Sequence, residues 1–112
     1  MLVVVDMIDI EVDNTANWQK GYIRMETLRG NLIAEREIIW PNGKTITRSQ
    51  GEKTTGFVLF QKDLLPENGE VRVTARVRDY LDEECTEPAG DWVYRTSIVD
   101  VSLGVLRINI RK

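Results

Sequence analysis

The sequence predicts an all-β protein, a single antiparallel β-sandwich of about seven or eight strands that spans residues 1–112. Residues 69–80 alternate apolar and polar side chains with a period of two, which is typical of a strand with one buried face. Similar short segments recur along the chain, and the turns between them are rich in glycine, asparagine and proline. No repeat, low-complexity tract or linker divides them, which indicates one domain.

The composition is that of a globular domain large enough to bury its own core. Of the 112 residues, 42% are hydrophobic and 29% are charged, and the formal net charge is −3. This charge disfavours nucleic acid as a partner, and no apolar run approaches the roughly 20 residues of a membrane span. Residues 1–10 are not expected to be a signal peptide, because they lack a basic leader and because Asp6 and Asp9 interrupt their apolar run.

The residue types also exclude several chemistries. There is no histidine, which removes the commonest general base, the usual zinc ligand and the partner of most nucleophilic serines and cysteines. The single cysteine, Cys85, cannot form an internal disulfide, and the surrounding carboxylates should raise its pKa. We therefore expect a protein that is not an enzyme and that has no cofactor, with calcium as the one exception considered below.

The N-terminal segment, residues 2–12, is predicted as two short strands with a kink near Asp6. Its second half alternates apolar and acidic side chains, whereas its first half is apolar on both faces. Such a strand needs cover on both faces, which another sheet or a second copy of the chain could supply. Self-association through this strand is therefore one hypothesis. Its candidate contact residues are Leu2, Val3, Val4 and Val5.

The middle of the chain is predicted to continue in short strands. Residues 22–28 and 32–40 form a hairpin that turns at Arg29-Gly30-Asn31. The second of these segments contains good helix formers, but nine residues between two strong turn signals favour a strand over a short helix. The segments that follow are a short strand at 44–47, a polar loop at 48–53 and a buried strand at 54–60.

The strand at residues 69–80 is predicted to be central. Its valines and alanine face the core, and its arginines face outward. A long loop follows at residues 82–91, and loops of that length in a compact domain tend to be functional or disordered. The last strands are predicted at 92–95 and 98–110, with an interruption near 102–104 where a glycine indicates a bulge or a bend.

Between Ile8 and Val77 the segments read IDIEVDN, then WPNGKTIT, then FVLF and NGEVRVTARV. A strand ending in asparagine, a hairpin, an x-P-x-G-x-T turn, a phenylalanine strand and a valine-rich strand follow in that order. This order resembles the immunoglobulin-like domains of bacterial surface proteins, of the cell-adhesion-related type. The resemblance implies an immunoglobulin-like structural or binding module and carries over no catalytic residue. It implies the cell surface or the extracellular space, whereas without it a cytoplasmic location is expected.

Carboxylates crowd the loop that follows the central strand. Calcium takes about six to eight oxygen ligands, and loops at the end of a sandwich can supply them. A second loop would have to contribute, where Asp13 and Asn14 are the candidates. The alternative is a solvated acidic loop without a ligand. The candidate metal ligands are Asp79, Asp82, Glu83, Glu84 and Asp91.

Arginines line one face of the central strand and one face of the last strand. If these strands are neighbours, their guanidinium groups share one sheet face and could bind an anionic polymer or a partner's carboxylates. The alternative is that they form cross-strand ion pairs, since the acidic side chains of residues 9–13 have a matching spacing. The candidate partner-binding arginines are Arg72, Arg76, Arg78 and Arg107.

The three tryptophans could form a platform on which a sugar stacks, but only Trp18 lies in a predicted turn. Trp40 and Trp92 are predicted to lie in the core. The sequence therefore favours a non-catalytic module that acts through protein–protein contacts with a partner or with itself. Calcium or glycan binding through residues 79–91 is the alternative function.

Overall fold

The protein is described here by a computed structural model that covers most of the chain. It describes the backbone of residues 2–11, 17–48, 53–61, 66, 69–100 and 105–111, and the side chains of 17–48, 56–60, 66 and 69–100. Within these residues the fold is all-β, as predicted, and no helix is long and apolar enough to cross a membrane. The strands are β1 (Leu2–Glu11), β2 (Trp18–Thr27), β3 (Leu32–Glu37), β4 (Thr47–Arg48), β5 (Lys53–Gln61), β6 (Glu70–Tyr80), β7 (Val93–Asp100) and β8 (Val105–Arg111).

The described strands form two sheets. The larger sheet has the order β3-β2-β6-β7, with β4 also paired to β2, and all its pairs are antiparallel. The smaller sheet has the order β5-β1-β8, in which β1 and β8 run parallel. This parallel pair differs from the purely antiparallel arrangement that the sequence predicts. Parallel strands need a long connection, and almost the whole chain lies between β1 and β8.

The central position of β6 is confirmed, since β2 pairs with one of its edges and β7 with the other. Its inward residues Val71, Val73, Ala75 and Val77 are all fully buried. β-Branched side chains at alternate positions suit a pleated strand that packs one face on a core. The residues between them are half-buried and point away from that core.

The β2–β3 hairpin is also confirmed. Gly30 adopts a positive φ of 90° in the turn, and its N–H donates to the carbonyl of Thr27 at 2.9 Å. The helical alternative for residues 32–40 is wrong, because β3 pairs with β2 along its length. β2 begins at Trp18 rather than at Tyr22, because β6 continues to Tyr80 and pairs with these additional residues.

The N-terminal strand differs from its prediction. β1 is one strand rather than two, and its register shifts between Met7 and Ile10, not at Asp6. It is the middle strand of the smaller sheet. Val4 and Val5 pair with β5 on one side and with β8 on the other, so no second chain is needed to complete this edge.

The short strand predicted at residues 44–47 is reduced to Thr47 and Arg48 in β4. The reason is a turn closed by Asn42, whose side chain accepts from the N–H of Lys44 and donates to the carbonyl of Ile46. Several predicted features lie outside the described residues. These are Asp13 and Asn14, the middle of the polar loop at 49–52, and the interruption at 102–104.

The core is shared between the two sheets, and Ile38 lies at its centre. A Cβ atom at Gly21 of β2 would approach the Cδ1 of Ile38 to 2.6 Å, and a Cβ at Gly56 of β5 would meet its Cγ2. Ile38 also donates its N–H to the carbonyl of Gly21 at 2.9 Å, and Ile39 exchanges two backbone hydrogen bonds with Phe57. The segment after β3 therefore joins one sheet to the other.

The end strands of the larger sheet, β3 and β7, each carry an arginine that hydrogen-bonds to its own strand. Arg36 donates to the carbonyl of Glu35 at 2.9 Å, and Arg95 donates to the carbonyl of Tyr94 at 2.8 Å. In the described part of the chain each of these strands has one neighbour in the sheet. Charged side chains of this kind make a sheet edge less suitable for further strand pairing.

Candidate functional site: the outer face of the larger sheet

The candidate site is the face of the larger sheet that points away from the core, called the outer face below. The strand register places its side chains in four rows that cross β2, β6 and β7. From one end to the other the rows are Lys20 and Arg78; Tyr22, Arg76 and Tyr94; Arg24, Thr74 and Thr96; and Glu26, Arg72 and Ile98.

The guanidinium of Arg76, in the second row, packs against two neighbouring aromatic rings. Its Cζ is 4.6 Å from the ring centroid of Tyr22 and 4.4 Å from that of Trp92. The two centroids are 5.8 Å apart, with the ring planes tilted by 53°. The Nη2 of Arg76 is also 3.4 Å from the Oε1 of Glu35 on β3. Stacking and ion pairing together hold this guanidinium in one position.

The first row adds two more cations beside this stack. Arg78 donates from Nε to the carbonyl of Gly90 at 2.8 Å, and its Cζ is 5.7 Å from the ring centroid of Trp92. The Nζ of Lys20 is 3.3 Å from the Oε1 of Glu37. A hydrogen bond with Tyr22, and then the hydrogen bond and charge of Glu37, raise the pKa of Lys20 despite its partial burial. Lys20 is therefore charged at neutral pH.

The third and fourth rows carry Arg24 and Arg72. The Nε of Arg24 is 3.5 Å from the Oε2 of Glu26. Arg72 forms no ion pair within the described residues, and the hydrogen bond of Arg78 goes to a carbonyl rather than to a carboxylate. Arg72 and Arg78, at opposite ends of the outer face, therefore have no carboxylate partner in the described part of the chain.

A shallow cavity of about 350 Å³ opens between the second and third rows. The hydroxyl oxygens of Thr74 and Thr96 are 3.1 Å apart beside it. Tyr94 and Ile98 on β7 are 53% and 57% exposed, so apolar surface lies next to the charged groups. The cavity is lined by Tyr22, Arg24, Glu35, Thr74, Arg76 and Tyr94.

Three of the four predicted arginines lie together on this face, and the fourth does not. Arg107 belongs to β8 in the smaller sheet, where its backbone lies opposite Asp6 of β1. The expectation that β6 and the last strand are neighbours is wrong, because β7 takes the place beside β6. The acidic side chains of residues 9–13, the predicted ion-pair partners of these arginines, lie outside the described residues. The carboxylates on the outer face come from β2 and β3.

Sequence reasoning missed much of this site. Trp92, which is predicted to lie in the core, is half-buried and stacks on Arg76. The even-numbered residues of β2 and β7 are mostly polar or aromatic, which indicates that they point away from the core. Only the strand register shows that they lie beside the arginines of β6. Trp40 is fully buried, as predicted. Trp18 is half-buried beneath the guanidinium of Arg48, 5.7 Å from the ring centroid, so the three tryptophans form no common platform.

The predicted metal ligands Asp79 and Asp82 accept hydrogen bonds from different groups of the protein. Asp79 is buried, and its Oδ1 accepts from the Nε2 of Gln19 at 3.1 Å. Asp82 accepts from the N–H groups of Thr86 and Glu87 and from the Thr86 hydroxyl. Within the described residues, Glu83, Glu84 and Asp91 do not join them in a group that could hold a metal ion. Calcium binding stays a prediction, and Asp82 would have to leave these hydrogen bonds to take part.

The hydrogen bonds of Asp82 predict a loop that loosens in acid. The Thr86 hydroxyl and the N–H of Glu87 lower the pKa of Asp82 below its ordinary value of 3.8. The stabilising contribution is complete above pH 3.8 and disappears as the pH falls through the lower pKa of the folded protein. We expect the amide resonances of Thr86 and Glu87 to shift together in that acidic window. In the Asp82→Asn variant these shifts should be absent. If the two resonances titrated in the variant as they do in the unmodified protein, Asp82 would not be the group that holds the loop.

The predicted rise in the pKa of the Cys85 thiol is confirmed, although its principal cause is different. Partial burial is the largest contribution, and the charges of Asp82, Glu37 and Glu84 add to it, while Lys20 opposes it. The thiol is therefore a weak nucleophile at neutral pH.

No protein-family model matches the chain, and no curated protein or solved structure matches it. The resemblance to immunoglobulin-like domains therefore stays a prediction.

Proposed function

We propose that this protein is a non-catalytic binding module, an immunoglobulin-like β-sandwich, that contacts a protein partner through the outer face. The observation that carries the proposal is the cluster in which the Arg76 guanidinium packs against the rings of both Tyr22 and Trp92, next to the exposed side chains of Tyr94 and Ile98. Arginine, tyrosine and tryptophan are enriched where protein interfaces gain most of their binding energy. Groups that are already held in place lose less conformational entropy when a partner binds.

The neighbouring strands favour the outer face, rather than a strand edge, as the surface that a partner contacts. β1 is flanked by β5 and β8, so pairing of Val4 and Val5 with a second chain would require one of these strands to leave. The edges of the larger sheet carry Arg36 and Arg95, which already donate to their own backbone carbonyls. Side-chain contacts across the outer face need no rearrangement of this kind.

A site-specific cross-linking experiment tests the proposal. A photoreactive phenylalanine analogue replaces Ile98 on the outer face, and in a matched variant it replaces Leu81 in the exposed loop. We expect illumination in the source cells to give a defined cross-linked species from position 98 and none from position 81. A product at twice the chain mass of 12.9 kDa would identify a second copy, and any other mass a different protein.

A charge-reversing change provides the second arm of that experiment. Arg72→Glu in the photoreactive variant places a carboxylate beside Glu26 in the same row and should abolish the cross-link without unfolding the protein. Equal products from positions 98 and 81, or a cross-link that survives Arg72→Glu unchanged, would contradict docking through the outer face.

A further inference from the structure

We infer that the segment which docks on the outer face is an extended acidic peptide with carboxylates at alternate positions, lying along β6. This inference rests on the proposed function and names the chemistry of its partner. It comes from the spacing and the charge of the four rows.

Every row contains at least one cation. Arg78 and Lys20 occupy the first row, Arg76 the second, Arg24 the third and Arg72 the fourth. Successive rows are two residues apart along a strand, which is about 6.6–6.8 Å. An extended peptide repeats its side chains on one face at the same interval. A carboxylate at every second position would therefore meet one cation in each row.

The charge of the outer face fits an anionic segment of limited length. Its rows and the outward-facing side chains of the adjoining β3 strand include five basic groups and three carboxylates, a surplus of two positive charges in a protein whose net charge is −3. Beyond the fourth row the next register position pairs Glu70 with Asp100, where the basic line ends. Four rows correspond to four acidic side chains in about eight residues.

The individual arginines retain binding capacity. Arg72 and Arg78 have no carboxylate partner among the described residues, so they are available at both ends of the line. Arg24 and Arg76 each pair with one carboxylate of the protein. A guanidinium has five N–H donors, so each of these arginines can also donate to a second carboxylate. The cavity of about 350 Å³ beside them has room for the side chain that the middle of the peptide would insert.

A strand of nucleic acid also carries regularly spaced negative charges, but the observations favour a peptide. Nucleic acid concentrates charge on every unit, and a protein with a net charge of −3 repels it over distances beyond the site. Three carboxylates also lie among the cations, where a dense polyanion would meet them.

Fluorescence anisotropy with synthetic peptides tests the inference. The first peptide is a fluorescein-labelled octapeptide that alternates glutamate and threonine, and the second has the same composition with its four glutamates in one block. An octamer of thymidylate is the nucleic-acid probe. At low salt we expect the alternating peptide to bind at least fivefold more tightly than the block peptide and than the oligonucleotide.

Matched variants locate the binding. The double variant Arg72→Gln/Arg78→Gln should weaken binding of the alternating peptide by roughly tenfold, within the limit of about 25-fold that two contacts of up to about fivefold each can give. Arg29→Gln removes the same kind of charge from an exposed turn and should leave the affinity unchanged. Thermal unfolding followed by circular dichroism checks that the variants fold.

Three results would overturn the inference. The first is that the two peptides bind with equal affinity, or that neither binds. The second is that Arg29→Gln weakens binding of the alternating peptide as much as the double variant does. The third is that the oligonucleotide binds more tightly than the alternating peptide. If the cross-link from position 98 still forms in any of these cases, docking through the outer face stands and only the acidic partner is wrong. If that cross-link is also absent, the proposed function fails with it.

Discussion

Replacing Val73 with aspartate is expected to destabilise the protein severely. Val73 is fully buried at the middle of β6, where it lies opposite Met25 of β2 and Ser97 of β7. A carboxylate there would lose its hydration without gaining a charged partner, which costs at least about 4 kcal/mol. Domains of this size are stable by roughly 5–15 kcal/mol, so a large part of that stability would be lost.

Thr74→Asp is the matched control, because it places the same side chain one residue further along β6. Thr74 faces outward beside Arg24, so the new carboxylate would be hydrated and close to a cation. We expect its stability to change by no more than about 1 kcal/mol. Urea unfolding of both variants measures the difference. Equal damage would mean that β6 is buried on both faces, and little damage from Val73→Asp would contradict the core described here.

Gly21→Ala is expected to lower stability by about 1–3 kcal/mol, although it adds a single methyl group. A Cβ at this position would lie 2.6 Å from the Cδ1 of Ile38 and 2.7 Å from the backbone carbonyl oxygen of Arg76. The isoleucine could rotate only within a packed core, and the carbonyl could move only if β2 and β6 separated. Differential scanning calorimetry should show a melting temperature lower by about 5–12 °C.

Gly90→Ala serves as the control for this substitution. A Cβ at Gly90 would meet nothing within 4 Å, and its φ is not positive, so the added methyl group should leave the melting temperature nearly unchanged. If Gly21→Ala and Gly90→Ala had the same melting temperature, Ile38 could not be packed against Gly21 as closely as its contacts indicate.

Local patterns in the sequence were sufficient to predict most strands of the larger sheet, although not all of their bounds. The alternation in β6 depends on the side chains of consecutive residues, and the turn at Gly30 depends on a few neighbouring positions. The sheet to which a strand belongs depends instead on contacts between distant residues. The parallel pairing of β1 with β8 and the resulting separation of Arg107 from Arg76 are contacts of that kind.

The same distinction applies to the candidate site. The sequence predicts that Arg72, Arg76 and Arg78 share a face, because residues two apart in a strand always do. It does not predict that the rings of Trp92 and Tyr22 both pack against Arg76, since that cluster requires the register of β2, β6 and β7. The cavity also depends on strand register and is not predicted from the sequence, because its lining side chains come from four different strands.

The arginines at the two ends of the larger sheet have a consequence for how the protein behaves when it is crowded. A copy that added its strand to β3 or β7 would compete with Arg36 or Arg95 for a carbonyl that is already bonded, and would bring a positive charge against the new strand. Growth of the sheet from molecule to molecule, the first step toward a fibril, is therefore opposed at both ends.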